Sequence, residues 1–202
     1  MVVRVTSGTE IRPDERPWVG SLGYAMDGYL LTNEHVAPYE GEEVHATKLG
    51  ALIGRVARVA KIRTVSLLDI LLNLLFNVRL PVNELDVAAI DPEPNVRYEK
   101  FTHYPEVPVV AQVGDRVYSL GRTSGYREGV VTSTHATITV NVGGKIAIFD
   151  DCIEVAMPVA PGDSGSAVVS DRGIVGLVFA GTADGTRAYV IKATNIARWL
   201  AR

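Results

Sequence analysis

A chain of 202 residues with a formal net charge of −3 and one cysteine has room for one compact unit or two small packed ones, with no internal disulfide to staple them. Its 20 Lys and Arg residues gather into no patch dense enough to track a phosphate backbone, which excludes nucleic acid as the expected partner. Hydrophobic residues make up 47% of the chain and 19 Gly with 10 Pro punctuate them, a mix that fits many short strands joined by turns.

The opening, MVVRVTSGTEIRPDERP, lacks the basic start, apolar core and cleavage site of a signal peptide. With no disulfide possible, the expectation is a reducing, cytoplasmic setting. The stretches WVGSLGYAM, GYLLTNEHV, EEVHATKL and ALIGRVARVAKI then read as strands, with Asp27-Gly28 as a tight turn. The apolar run at 64–80, TVSLLDILLNLLFNVRL, is too short to span a bilayer, and Asp69, Asn73 and Asn77 interrupt it. Those three share one stripe of a helix and every other face is apolar. The expectation is a mostly buried surface helix with a narrow wet edge, ended by Pro81. The alternative is a helix that docks a partner or a membrane surface.

LDVAAI follows as a strand. Residues 91–111, DPEPNVRYEKFTHYPEVPVVA, carry four prolines and mixed charge, as a connecting segment does. The predicted organisation is therefore a first β half at 1–92, a connection at 93–110 and a second β half at 111–202. The second half holds strand-like RVYSL, GVVTSTHATITVNV, KIAIFD, SAVVS, GIVGLVFAG and AYVIKA, with turns at Gly143-Gly144 and Asp171-Arg172-Gly173. Cys152, inside FDDCIEVAM, reads as a buried small hydrophobe and not as a reactive thiol. The ending, TNIARWLAR, reads as a short helix capped by Thr194 or Asn195, with Ile196, Trp199 and Leu200 on one face.

The strongest chemical signal is Gly162-Asp163-Ser164-Gly165-Ser166. Small residues on both sides of a serine let a substrate backbone come close and let loop amides face a developing oxyanion. A serine hydroxyl needs a base within reach and a group that orients the base. His35 sits where an apolar strand turns, although an isolated histidine in that setting is more often structural. His45, His103 and His135 stand in no motif. Asp86 begins the apolar strand that ends at Ile90. A carboxylate there is costly unless paired, but strand-edge aspartates also cap turns. Chain order narrows the choice: no histidine follows Ser164, which excludes the order of an α/β-hydrolase. A subtilisin-like order would need Asp14 or Asp27, which no motif supports.

Thr32-Asn33-Glu34-His35-Val36, Leu85-Asp86-Val87-Ala88 and Gly162-Asp163-Ser164-Gly165-Ser166, spaced 51 and 78 residues apart at His35, Asp86 and Ser164, resemble the three motifs of the trypsin-like (chymotrypsin-fold) serine proteases. Val113–Val117 with Gly121-Arg122-Thr123, and Ile174–Gly181, resemble the opening of the second barrel and the cleft strand of disulfide-free prokaryotic members. The resemblance implies an all-β fold of two packed antiparallel six-stranded β-barrels with a short inserted helix and a C-terminal helix. It implies a serine endopeptidase acting on polypeptides through an acyl-enzyme, with Ser164 as nucleophile, His35 as base, Asp86 orienting it and the amides of Gly162 and Ser164 as oxyanion hole. No metal or organic cofactor is implied. By the same likeness Val159, Ala160, Phe179, Ala180, Gly181 and Arg187 contact substrate. Met157–Pro161 contain no acid, so a small or medium hydrophobic residue is expected before the cut; Arg187 would instead favour an acidic one. Phe179 stands where the family often has a serine that supports the aspartate, and no Ile-Val-Gly-Gly-like start exists to pair with Asp163, which is expected to structure its loop. Two other readings remain: a protease-shaped binding or assembly protein docking through the 64–80 helix, and an esterase using the same three residues.

Overall fold

The strands of the first half follow their apolar alternation into a closed sheet. Residues 2–14 and 16–202 are described by a computed structural model. In chain order the first half comprises β1 (Val3–Val5), β2 (Glu10–Pro13), β3 (Gly20–Ser21), β4 (Ala25–Met26), β5 (Tyr29–Thr32), β6 (Glu43–Ala46), β7 (Ala51–Ala60), α1 (Leu67–Phe76), β8 (Val82–Asn83), β9 (Val87–Pro92) and β10 (Val96–Tyr98). The sheet order is β3-β2-β6-β7-β9-β5-β4. β3 and β4 are two halves of one bent stretch: Leu22 N–H donates to Thr9 O at 2.9 Å, and Gly23 N–H to Leu31 O at 2.8 Å. That bend closes the sheet into a barrel of six strands around Ile11, Leu22, Leu30, Val44, Ile53 and Ile90.

The second half contains β11 (Arg116–Gly121), β12 (Gly125–Val142), β13 (Lys145–Ala156), β14 (Ala167–Ser170), β15 (Gly173–Gly181), β16 (Ala188–Lys192) and α2 (Ala193–Leu200). Its order is β12-β11-β14-β15-β16-β13, and β12 also pairs with β13, so this sheet closes too. Gly143 and Gly144, with φ of 58° and 83°, form the two-residue turn between β12 and β13. Between the barrels lies a separate apolar cluster drawn from both halves, including Tyr24, Leu31, Phe149, Leu177, Phe179 and Ile191. The expected two-barrel architecture with two helices is present.

Several local expectations need correcting. Two short strands cross the anticipated divisions: β10 lies in the proline-rich connection and pairs in parallel with β1, and β8 joins the second sheet beside β13. α2 starts earlier than expected. Lys192 occupies its N-cap without a side-chain hydrogen bond, and Asn195 is instead buried inside the helix, where it donates to Asp151 Oδ2 at 3.2 Å. Ile196 is buried as predicted, while Arg58 of β7 lies 4.6 Å over the Trp199 ring and donates to the carbonyls of Trp199 and Leu200, both at 3.1 Å. Those bonds satisfy terminal carbonyls that the helix cannot satisfy itself, and they tie the last helix to the first barrel. Cys152 is buried, and burial with the nearby Asp151 and Asp150 charges pushes its thiol up to about 12, as an inert packing residue requires.

The largest departure is α1. A mostly buried helix was expected, yet none of its residues is buried: Leu67 is 86% exposed and Leu74 75%. Its orientation is the reverse of the one read from sequence. Of the three residues expected on the wet edge, Asp69 and Asn73 are half-buried and only Asn77, at the helix end, is exposed, while every leucine of the helix but half-buried Leu72 faces outward. The polar side chains are used up locally. Ser66 and Asp69 form a reciprocal capping box, and Asn73 Nδ2 donates to Val78 O at 2.9 Å.

Candidate active site

β5 ends at Thr32, and the next residues turn tightly, with the amides of Val36 and Ala37 donating to Asn33 O at 3.2 and 3.1 Å. Asn33 Nδ2 donates to Asp86 O at 2.8 Å, which fixes this turn against the start of β9. The turn places His35 on Asp86. The His35 backbone N–H donates to Asp86 Oδ1 at 3.1 Å, and the ring Nδ1–H to Asp86 Oδ2 at 2.5 Å. Asp86 is 1% exposed, so its carboxylate lies out of water and takes both hydrogen bonds from one residue. Removing either partner of such a pair would strand a buried charge. Phe179 is buried and packs on Phe149 with ring centroids 4.8 Å apart; it offers Asp86 no third donor. Burial pulls the His35 imidazole down, but the Asp86 charge, their hydrogen bond and the Glu34 charge outweigh it, and the ring sits above its ordinary value.

Across the seam, Ser164 lies in the loop between β13 and β14. Asp163 is buried and holds that loop: its Oδ1 accepts from Thr123 N at 2.9 Å and Ser124 N at 3.0 Å, and its Oδ2 from Ala160 N at 2.9 Å. A Cβ at Gly121 would collide with the same carboxylate. The amides of Asp163, Gly165 and Ser166 are spent inside the protein, on Ala160 O, Val178 O and Asp163 O. Those of Gly162 and Ser164 donate to nothing among the described residues. Two unspent N–H groups two residues apart, beside a serine, are the raw material of an anion site.

The seam itself is centred on Ser21. Its N–H donates to Ser164 O at 2.8 Å and its hydroxyl to Gly162 O at 2.8 Å, while its carbonyl accepts from Thr32 Oγ1 at 2.9 Å. Gly165, at φ 94°, backs onto this group so closely that a Cβ would strike both Ser21 O and Thr32 Oγ1. Val36, the residue after His35, reaches the same seam. A Cβ at Gly20 would lie 2.6 Å from the Val36 side chain and 3.2 Å from Ser164 O. The Ser164 hydroxyl makes no hydrogen bond among the described residues, including to His35. In free enzymes such contacts are often long and tighten only with substrate.

Two cavities meet here. One of about 740 Å³ is lined by His35, Asp86, Glu34, Trp18 and Phe179, among others. The other, about 310 Å³, is lined by Ser164, Val159, Ala160 and Thr182, and both share Ala180 and Gly181. Arg187 lines neither, because its Nη1 is held by Glu154 Oε1 at 2.6 Å. The remaining histidines lie elsewhere: His45 beside Asp14 and Glu43, His103 against Tyr104, and His135 near Asp151.

A family model described as Trypsin matches residues 5–200. The chain belongs to the trypsin family. This trypsin-family protein resembles solved bacterial structures along its whole length. Cellulomonas bogoriensis chymotrypsin matches with a TM-score of 0.70 at 18% identity, covering 98% of this chain and 96% of that one. A Nocardiopsis protease matches at 0.72 and 15%, over 98% and 96%. A glutamic acid-specific serine protease that uses a histidine triad in substrate binding matches at 0.69 and 16%, over 98% of each chain. No curated protein matches by sequence. Membership of the family makes the protein a serine endopeptidase, with polypeptides as its substrates.

One cleft residue of this protease was missed from sequence. Glu34 is half-buried next to His35, and burial first, then the Asp86 charge, pushes its carboxyl up to about 7. A charged side chain directly before the histidine, at the end of an apolar strand, was the available signal.

Proposed function

We propose that this protease cleaves peptide bonds by attack of the Ser164 hydroxyl on the scissile carbonyl. His35 Nε2 takes the hydroxyl proton, and the amides of Gly162 and Ser164 bind the oxyanion. The tetrahedral intermediate collapses to an acyl-enzyme as His35 passes its proton to the leaving amine. Water then repeats the sequence and frees Ser164. Asp86 holds the imidazole with Nδ1 protonated, so that Nε2 faces Ser164, and it stabilises the imidazolium without taking the proton. The observation that carries this reading is the imidazole bonded at ring and backbone to one buried carboxylate, across the seam from a serine flanked by two unspent amides. A fluorophosphonate probe tests it. Labelling of the folded protein that disappears in Ser164→Ala supports the assignment; equal labelling of both refutes it.

The cavity beside Ser164 carries no charged lining residue, and a Cβ at Gly181 would come within 2.6 Å of Val159 Cγ2, so the opposing walls stand close. This supports a small or medium apolar residue before the cut. No His, Lys or Arg lines that cavity to receive an acidic side chain, and Arg187 is already neutralised by Glu154. Digestion of a mixed-peptide library should therefore cut mostly after residues such as Ala, Val or Leu. Dominant cleavage after Lys, Arg or Glu would contradict the pocket reading.

Activity should rise with pH as His35 loses its proton, with a midpoint above the ordinary imidazole value. Ionised Glu34 is one of the charges holding the imidazolium. Glu34→Gln should move the rising limb of the kcat/KM profile to lower pH. A limb that stays in place would show that the Glu34 charge does not reach the ring.

A further inference from the structure

We propose that α1 inserts into the surface of an anionic lipid bilayer and holds the protease against it. The helix stands on two feet set almost side by side: Val65 N–H donates to Ile146 O at 2.7 Å, and Val82 and Asn83 pair with Ile148 and Phe149. Asn83 Nδ2 clamps the second foot further, donating to Arg63 O at 2.9 Å and Ile148 O at 3.0 Å. Everything between the feet is pushed out of the body on a fixed base. At 3.6 residues per turn, Leu67, Leu68, Ile70, Leu71, Leu74 and Leu75 cover an outward arc of about 160°. All six are exposed, between 44% and 86%.

This amphipathicity is inverted relative to a helix that packs on its own protein. The polar side chains at the start and middle of the helix are not left open to lipid, since Ser66, Asp69 and Asn73 bond within the helix and its turns; exposed Asn77 stands at its C-cap, where the chain turns back toward the body. Ten residues at 1.5 Å each reach about 15 Å, half of a hydrocarbon core of about 30 Å, so α1 fits one leaflet and does not span.

Charge selects the occupant. Lys61, Arg63, Arg79 and Lys145 are all exposed around the two feet, and none forms an ion pair among the described residues. Asp69 is tied into the capping box; the exposed acids beside the feet are Glu84 and Asp150, and Asp150 accepts from Thr137 Oγ1 at 2.5 Å, so the cations outnumber the acids four to two. A chain of net charge −3 thus presents its apolar helix inside a cationic rim. That rim complements anionic headgroups, whereas a second copy docking by the same face would set the cations against one another. Ile62 and Thr64, just before the helix, line the His35 cavity, so insertion would bring the cleft close to the lipid surface.

Flotation of full-length protein with vesicles tests this, using Ser164→Ala so that the readout is independent of hydrolysis. Binding to equal phosphatidylcholine and phosphatidylglycerol should exceed binding to phosphatidylcholine alone by about tenfold or more, and Leu71→Ser with Leu75→Ser should remove it. Both leucines are exposed, so the double variant should keep the near-ultraviolet spectrum of the parent. Arg63→Ser with Arg79→Ser should weaken binding chiefly at low salt. Leu74→Trp should emit at shorter wavelength when vesicles are added. Three results would overturn the proposal: no binding, binding that survives the leucine substitutions, or an α1-dependent dimer that anionic vesicles fail to dissolve.

Discussion

Ser164→Ala is expected to lose about six orders of magnitude in kcat, the scale seen when the nucleophile of a serine hydrolase is removed. The reason lies in how little else the hydroxyl does. It makes no hydrogen bond among the described residues, and the loop that carries it is held by Asp163 and Ser21 through other atoms. Folding stability should therefore change by no more than about 0.5 kcal/mol. The two free amides remain in the variant, so a residual rate about a thousandfold or more above water is expected. Progress curves on a peptide substrate, with thermal melts alongside, measure both quantities. A variant that keeps a tenth of the parent rate would remove Ser164 from the chemistry.

Asp86→Asn should cost about four orders of magnitude in kcat while leaving the fold in place. The amide matches the carboxylate in shape, so the buried site is not emptied. It changes what the site accepts, because the carboxylate oxygens take hydrogen bonds from both the ring Nδ1–H and the backbone N–H of His35. An asparagine offers one acceptor and one donor there. Keeping the backbone bond turns the donor toward Nδ1, and the ring proton then moves to Nε2, the atom proposed to receive the Ser164 proton. The variant would also lose the charge that stabilises the imidazolium. Among the described residues Asp86 takes no third hydrogen bond to its carboxylate and the His35 ring has no other hydrogen-bond partner, so the ring's orientation rests on this pair. A fall in kcat of less than about tenfold would show that the pair is structural.

Long elements and the order of chemical motifs were readable from sequence because each is set locally. The apolar runs at β7, β9, β12 and β15 are long enough to show their period, and Asp27-Gly28 and Gly143-Gly144 both take positive φ. β3 and β4 both fall inside WVGSLGYAM, read as one strand, and the bend that divides them was not legible; β8 has two residues, too few for a pattern, and exists because β13, distant in sequence, completes it. The side of α1 that faces out could not be read from periodicity. Nearly all its faces are apolar, and its orientation is set by feet on β13 distant in sequence. One local cue was present: Ser66 three residues before Asp69 is a capping box, which commits that carboxylate to the helix start instead of to solvent. The unspent amides of Gly162 and Ser164 were expected only through family likeness. Which loop amides stay free depends on where Ala160, Val178 and Asp163 present their carbonyls.

Ser21 bonds at once to the strand leading to His35 and to the loop carrying Ser164. Hydrolysis therefore gauges the alignment of the barrels more finely than any spectrum. A slip of one ångström between two intact β-barrels would leave circular dichroism unchanged yet separate the proposed base from its nucleophile. During gentle heating or denaturant titration, turnover should vanish ahead of every optical signal of unfolding.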